Sequence, residues 1–281
     1  MMQMPMERVA TQTLLGIQFW DPVMGYPISE GLWARAQRLS DDQSSRLGRV
    51  VVGRATPSGV IAFFGLAPEE RVEDDSKQQI WETIPPSRSV VIEVEDTQRR
   101  YLPMSFVVPM PHKGALKIDL WSASSRSVPS ALAVIHAQIA IGSGENPDPA
   151  AYALVEARLA NQGNQGGVGP WVYRGLTNEK GTLLLPCPYP PVPTPEGNNF
   201  NYPALDKQTF NLTITVRYER QRQQPLQDSA VPNLETILNQ KVARILVQGS
   251  PQDSMPEILK FGQPLVLRTE AKDSYLRIQP Q

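Results

Sequence analysis

The chain has 281 residues, enough for two domains of ordinary size, and 41% of it is hydrophobic, so it can build real cores. Its 27 prolines argue against a mainly helical protein, because each removes a backbone donor. A net charge of -1, with both signs interspersed, excludes a basic surface drawn to nucleic acid or to an anionic membrane, and the single Cys187 excludes an internal disulfide.

The first stretch, MMQMPMERVATQTLLGIQFW, carries Arg8 but no long apolar run ahead of a small-residue cleavage site, so it does not read as a secretory leader. No run approaches the roughly 20 apolar residues that span a bilayer. The expectation is a protein made and used in the cytoplasm, or released without the general secretion route, with no direct membrane insertion. Residues 1–11 read as an arm. Its Met1, Met2, Met4 and Met6 offer adaptable thioethers to a groove on a partner.

Asp21-Pro22-Val23-Met24-Gly25 is the first turn signal. Trp20 and Trp33 lie in strand-like segments on either side and are expected in the core. The phrase RATPSGVIAFFGL, residues 54–66, reads as strand, turn and strand, with Gly59 supplying a positive φ. Ile61 and Phe63 share one face and Ala62 and Phe64 the other, so both faces are expected to be covered. A polar loop follows, carrying Glu69-Glu70, Asp74-Asp75 and Trp81. Val90, Ile92 and Val94 then alternate with Glu93 and Glu95. Such a one-sided pattern suits antiparallel sheets with one wet face.

The segment MPHKGALKIDLWSASSRSVP mixes turns with one short apolar run, and the boundary between two domains, 12–118 and 119–281, is placed there. Beyond it, Ile135, Ala137, Ile139 and Ile141 share a face, as do Ala153, Val155, Ala157 and Leu159. NQGNQGGVGP at 161–170 and the Pro-rich run at 186–203 read as long loops, a class that usually makes contacts. Phe210, Leu212, Ile214, Val216 and Tyr218 alternate with polar residues in the clearest strand. Leu234, Ile237, Leu238, Val242 and Ile245 follow Pro232 at helical spacing and predict one helix, packed on a sandwich edge or docking a partner. The halves echo each other: a threonine, a turn ending in Gly59 or Gly181, an apolar strand, and later an alternating strand. The fold expected is all-β, two consecutive Ig-like or prealbumin-like antiparallel sandwiches with at most one short helix.

Few residues carry chemistry. His112 sits in a Pro-His-Lys-Gly turn and His136 in a strand opposite its apolar face. With one cysteine they cannot build a Cys/His zinc site. Cys187 lies between prolines with no basic neighbour to lower its pKa. The paired carboxylates, including Asp41-Asp42, sit in polar loops. Phosphate-loop, dinucleotide, nucleophile-elbow, zinc-protease and calcium-loop motifs are all missing. No catalytic residue, metal or cofactor is expected. The contact residues proposed are Met1, Met2, Met4, Met6, Trp81, Trp171 and Tyr189; of the aromatics, Trp81 and Trp171 flank turns and could meet a protein or a glycan.

FWDPVMGYPISEGLWARAQ, RATPSGVIAFFGL and SVVIEVED, within residues 12–108, resemble the carboxypeptidase-regulatory-like fold. Glu30-Gly31 departs from that family's Gly-Ala, and the loop at 67–87 is long. More narrowly, YLPMSFVVPMP, SVPSALAVIHAQI and FGQPLVLRTEAKDSYLRIQP resemble Ig-like accessory proteins of extracellular contractile injection systems, which are phage-tail-like particles. The resemblance implies a non-enzymatic structural subunit, an adaptor in the cap or tail-terminator region, in a ring of sixfold symmetry. Its partners would be terminator, sheath, tube or baseplate proteins. A place in the baseplate, a carbohydrate- or surface-binding module and an enzyme accessory domain are the alternatives.

Overall fold

The computed structural model describes residues 13–66, 87–144, 147–159, 171–190, 204, 207–223, 229, 231–269 and 274–280. The chain forms two units: one of residues 1–97, 105–119 and 227–229, the other of 98–104, 120–226 and 230–281. The division is therefore not a single cut, since short segments cross it in both directions.

In the first unit β1 (Gly16–Asp21) pairs antiparallel with β2 (Tyr26–Ile28) and β6 (Ile61–Ala62), and parallel with β9 (Ala115–Asp119). β5 (Arg54–Ala55) adds to β6. The facing sheet runs β4 (Arg46–Val52), β3 (Leu32–Leu39), β7 (Arg88–Asp96), β8 (Met104–Met110). Alternation decides what each strand buries. Ile17 and Phe19 point inward from β1, Ala34 and Ala36 from β3, and Val90, Ile92 and Val94 from β7, all essentially without solvent contact. Phe19 meets Phe106 edge to face at 6.4 Å. Each such aromatic stabilises the unit by about 1.5–3 kcal/mol through burial. The β1–β2 turn forms because the Asp21 carboxylate accepts from the Val23 and Met24 amides at 2.9 and 3.2 Å, while Gly25 takes φ +73°.

In the second unit β10 (Leu132–Ile141) pairs with β11 (Asp148–Pro149) and β14 (Thr182–Pro188), and parallel with β19 (Leu265–Leu267) and β20 (Leu276–Gln279). The facing layer holds β13 (Val172–Leu176), β12 (Leu154–Leu159), β15 (Thr209–Arg217) and β18 (Met255–Lys260). β16 (Val242–Val247) joins the layers, pairing with β15 at Val242–Ala243 and with β20 at Arg244–Ile245. β17 (Ser250–Gln252) folds back on it. Ile135, Ile139, Val155, Ala157, Leu183, Leu185, Ile214, Val216, Ile245, Leu276 and Ile278 close the core. The architecture is all-β, with one α-helix, α1 (Leu234–Leu238), and a 3-10 turn at Arg220–Gln223 among the described residues.

The echo between the halves is a repeat of geometry. Thr56 N and Asn178 N donate to the carbonyls of Val60 and Thr182; Gly59 N and Gly181 N donate back to Thr56 and Asn178. Thr56 Oγ1 and Asn178 Oδ1 accept from the Val60 and Thr182 amides, and both glycines stand at φ +76°. Three residues before each turn is another glycine. A Cβ on Gly53 would strike Ile61 and Phe63; one on Gly175 would strike Leu183 and Leu185. These pairs keep one constant spacing along the chain, and β1, β3 and β7 correspond to β10, β12 and β15.

Three expectations are corrected. The predicted helix is a single turn. Asn233 caps it by accepting from Glu235 N at 3.0 Å, and Gln240 ends it by donating to the carbonyls of Ile237 and Tyr152. Val242 and Ile245, read onto its stripe, belong to β16, where β-branched side chains pack better on a pleated surface. Glu93 is not on a wet face: it is 8% exposed and ion-paired. In the hairpin Ile61, Ala62 and Phe63 are buried, but Phe64 is half exposed.

Candidate functional site

The outer face of the β4–β3–β7 sheet carries a group of charged and apolar side chains of the first unit. On β7 burial opposes ionisation of Glu93. Hydrogen bonds from Arg46 and Ser229, with the charges of Arg46 and Arg35, outweigh it and hold the carboxyl below its ordinary range. Arg46 lies 2.7 Å and Arg35 3.2 Å from it, and Arg35 also reaches Glu95 at 3.3 Å. The Arg35 guanidinium stacks on Trp33 at 4.3 Å. Trp33 is 41% exposed, not in the core as its strand-like context suggested. It points outward with Arg35, on the face opposite Ala34 and Ala36.

β4 is the edge strand of this sheet. Val51 faces the core, while Val50 and Val52 are 50% and 49% exposed, and Leu47 is exposed with them. Val52 stands opposite Arg35, and Gly53 N donates to Ala34 O at 2.9 Å, which carries the register on. The chain then leaves for β5 in the other sheet, which Gly53 permits by having no Cβ to strike Ile61 and Phe63. Arg49, Val50, Val51, Val52, Arg54 and Phe64 line a groove of about 770 Å³ along this edge. Arg49 lies over Gly65, its Nη2 only 2.8 Å from where a Cβ would be. Neither Arg49 nor Arg54 has a carboxylate partner among the described residues. The phrase RLGRVVVGR carried a signal for this edge, valines bracketed by glycines and arginines, that sequence reasoning passed over.

The proposed contact residues fall apart spatially. Trp171 is 38% exposed at the head of β13, beside exposed Val172. Tyr189 packs on Phe261 at 4.4 Å and on Phe210 at 6.0 Å, and its hydroxyl accepts from Gly262 N at 2.8 Å. Its ring is thus engaged within the second unit. Met1, Met2, Met4, Met6 and Trp81, like the loop at 161–170 and the acidic pairs Glu69-Glu70 and Asp74-Asp75, lie outside the described residues. Trp20 is half-buried under Lys117, whose Nζ is 3.8 Å from the ring centre. His112 faces the Gly114 carbonyl at 3.4 Å. Asp42 is held at about 2 by hydrogen bonds from the Ser40 and Ser44 hydroxyls, so it shapes the β3–β4 turn. Burial pushes the Cys187 thiol up to about 12, which leaves no thiolate at neutral pH. Among the described residues no three His, Cys, Asp or Glu side chains gather to hold a metal, and no helix is long and apolar enough to cross a membrane.

No family model and no curated protein matches the chain. Among solved structures it is similar to the minor pilin GBS52 of Streptococcus agalactiae, at 9% identity and a TM-score of 0.25, covering 95% of each chain. It is similar to a streptococcal ancillary pilin at 10% identity and a TM-score of 0.25, where 95% of this chain spans 62% of that one. A candidate adhesin from Bacteroides ovatus gives 10% identity and a TM-score of 0.23 over 95% of this chain and 94% of its own.

Proposed function

We propose that the chain is a non-enzymatic structural subunit of a contractile injection particle, an adaptor in the cap or tail-terminator region that joins other subunits through the edges and ends of its two sandwiches. The observation that supports it is where the exposed apolar groups lie. Leu47, Val50 and Val52 in one unit, and Val172 in the other, stand on strands that end a sheet, and Trp171 directly precedes the second of them. An unpaired strand edge is a template for another chain, and assembling proteins use it so. The phrases that resemble injection-particle accessory proteins supply the kind of assembly. The baseplate is the alternative position, and the cytoplasm is where assembly would occur.

The test is electron microscopy of particles purified from the native source with this protein labelled. Label at one end of the particle is the expected result, and absence from every assembly sinks the reading. Deleting residues 1–8 should lower incorporation; unchanged incorporation removes the N-terminal arm from the proposal. Exposure of the Trp171 ring supports a second reading, a glycan- or surface-binding module. Glycan-array binding that disappears in Trp171→Ala would favour it over the first.

A further inference from the structure

We infer that the free edge of β4 is a strand-addition site, and that the strand it takes is an extended protein segment in which acidic side chains alternate with apolar ones. This deepens the assembly reading by naming the partner's chemistry, and rests on it only in taking the partner to be a protein. Three observations carry it.

The edge is open. β4 pairs with β3 alone among the described residues, with a register shift that sets residues 48–50 opposite Gln37; on either side of that shift, at 46–47 and 51–52, an antiparallel strand directs alternate peptide groups away from its partner. The added strand would find unmade backbone hydrogen bonds beside half-exposed Val50 and Val52 and the side of Phe64.

The edge is positive. Arg46 is neutralised by Glu93, but Arg49 and Arg54 flank the valines with no carboxylate partner among the described residues. Two copies of this chain pairing β4 to β4 would set these guanidinium groups against each other, and like charges across a strand pair repel. A second copy is therefore disfavoured, and an acidic strand is favoured on the same ground.

The second unit supplies an internal comparison. Counting back from Gly53 and Gly175, Arg49 corresponds to Trp171, Val50 to Val172 and Val52 to Arg174; counting forward, Arg54 corresponds to Leu176. At β13 the single arginine is held by buried Glu156 at 2.8 Å. Among the described residues the same framework position thus presents cations without an ion partner in one unit and none in the other, so the charge belongs to the β4 edge and not to the fold.

The probes are two fluorescent peptides of equal length, one alternating glutamate with valine and one alternating lysine with valine, offered to the purified full chain. The glutamate peptide should bind and the lysine peptide should not, and hydrogen exchange at the amides of residues 47–52 should slow only with the former. The double variant R49E/R54E, at two side chains with no ion partner among the described residues, should weaken the glutamate peptide by about tenfold or more and admit the lysine peptide. Val50→Lys gives a second, independent loss. Equal binding of both peptides, or binding that leaves residues 47–52 exchanging freely, overturns the inference. So does protection of these amides in the chain alone: if independent of concentration the chain covers its own edge, and if dependent on it a second copy does. Particle incorporation is a separate measurement, so either reading can fail without the other.

Discussion

The repeated turn gives a sharp test, because its two copies hold a glycine in the same conformation and differ in what surrounds that glycine. Gly59 and Gly181 both stand at φ +76°. Alanine in the left-handed region costs about 1–2 kcal/mol whatever the surroundings. At Gly59 a new Cβ would lie 3.4 and 3.5 Å from Pro27 carbons, which is ordinary contact, so the cost should stay at about 1–2 kcal/mol. At Gly181 the same Cβ would overlap the Ile139 carbonyl oxygen and sit 3.2 Å from Ala150 N and 3.3 Å from Pro149 Cβ. That carbonyl cannot swing aside freely: it accepts from Ala150 N at 3.0 Å, while Ile139 N donates to Gly181 O at 2.8 Å. Losing one or both of these bonds adds about 1–3 kcal/mol, for a total of about 2–5 kcal/mol. Urea unfolding of the two alanine variants, read by hydrogen exchange in β6 and β14 separately, measures the difference. Gly59→Ala should raise the local unfolding constant by about tenfold and Gly181→Ala by roughly a hundredfold or more. Equal losses would refute the claim that the packed carbonyl, and not φ alone, holds the second turn.

Glu93→Gln removes the ionic partner of half-buried Arg46 and Arg35 and should cost about 1–3 kcal/mol near neutral pH. Because the folded carboxyl titrates below its ordinary value, its contribution is complete above about pH 4.5 and is lost as pH falls through the folded value. The gap in Tm between parent and variant should therefore shrink on acidification; parallel profiles would show that Glu93 does not carry the acid sensitivity. Thr177 is fully buried, its hydroxyl donating to Ala150 O at 2.7 Å and accepting from Ala153 N at 2.8 Å. Thr177→Val strands both groups and should cost about 2–3 kcal/mol by chemical denaturation, with less than about 0.5 kcal/mol counting against these bonds. Cys187, its thiol raised to about 12, should resist an aromatic disulfide reagent at neutral pH and react within seconds once urea unfolds the chain; fast native reaction would contradict its burial.

The strands were legible where one rule governed them. Period-two alternation in Phe210–Tyr218 and Ile135–Ile141 matches β15 and β10, since one face of each meets the core. The turn at Pro57–Gly59 was legible because glycine and proline act locally. The rule failed where a second layer covered the outer face. Glu93 alternates like a solvent residue, and Arg46, Arg35 and Ser229, remote in sequence, help to bring it out of water. The helix failed for a related reason: Leu234 to Ile245 satisfies helical spacing, but Asn239 and Gln240 break it, and β15 and β20 offer Val242–Val247 a ladder that no local pattern announces. Trp33 failed because an aromatic in a strand is ambiguous between faces until the register is known.

What differs between the repeats says more about function than what they share. The inward positions agree in kind: Ala36 and Ala157, Ile92 and Ile214, Val94 and Val216, Ile61 and Leu183. Packing alone requires that. On the outer faces the acid moves across the sheet. In the first unit Glu93 on β7 stands opposite Arg35 on β3; in the second Thr215 on β15 stands opposite Glu156 on β12. Moving the acid to β12 sets it beside Arg174 on the neighbouring edge strand and neutralises that edge from within. Keeping it on β7 sets it beside Arg35 and Arg46 and leaves Arg49 and Arg54 to solvent. A core-building constraint is indifferent between these arrangements, so the charge on β4, which has no ion partner among the described residues, is a feature that packing does not explain.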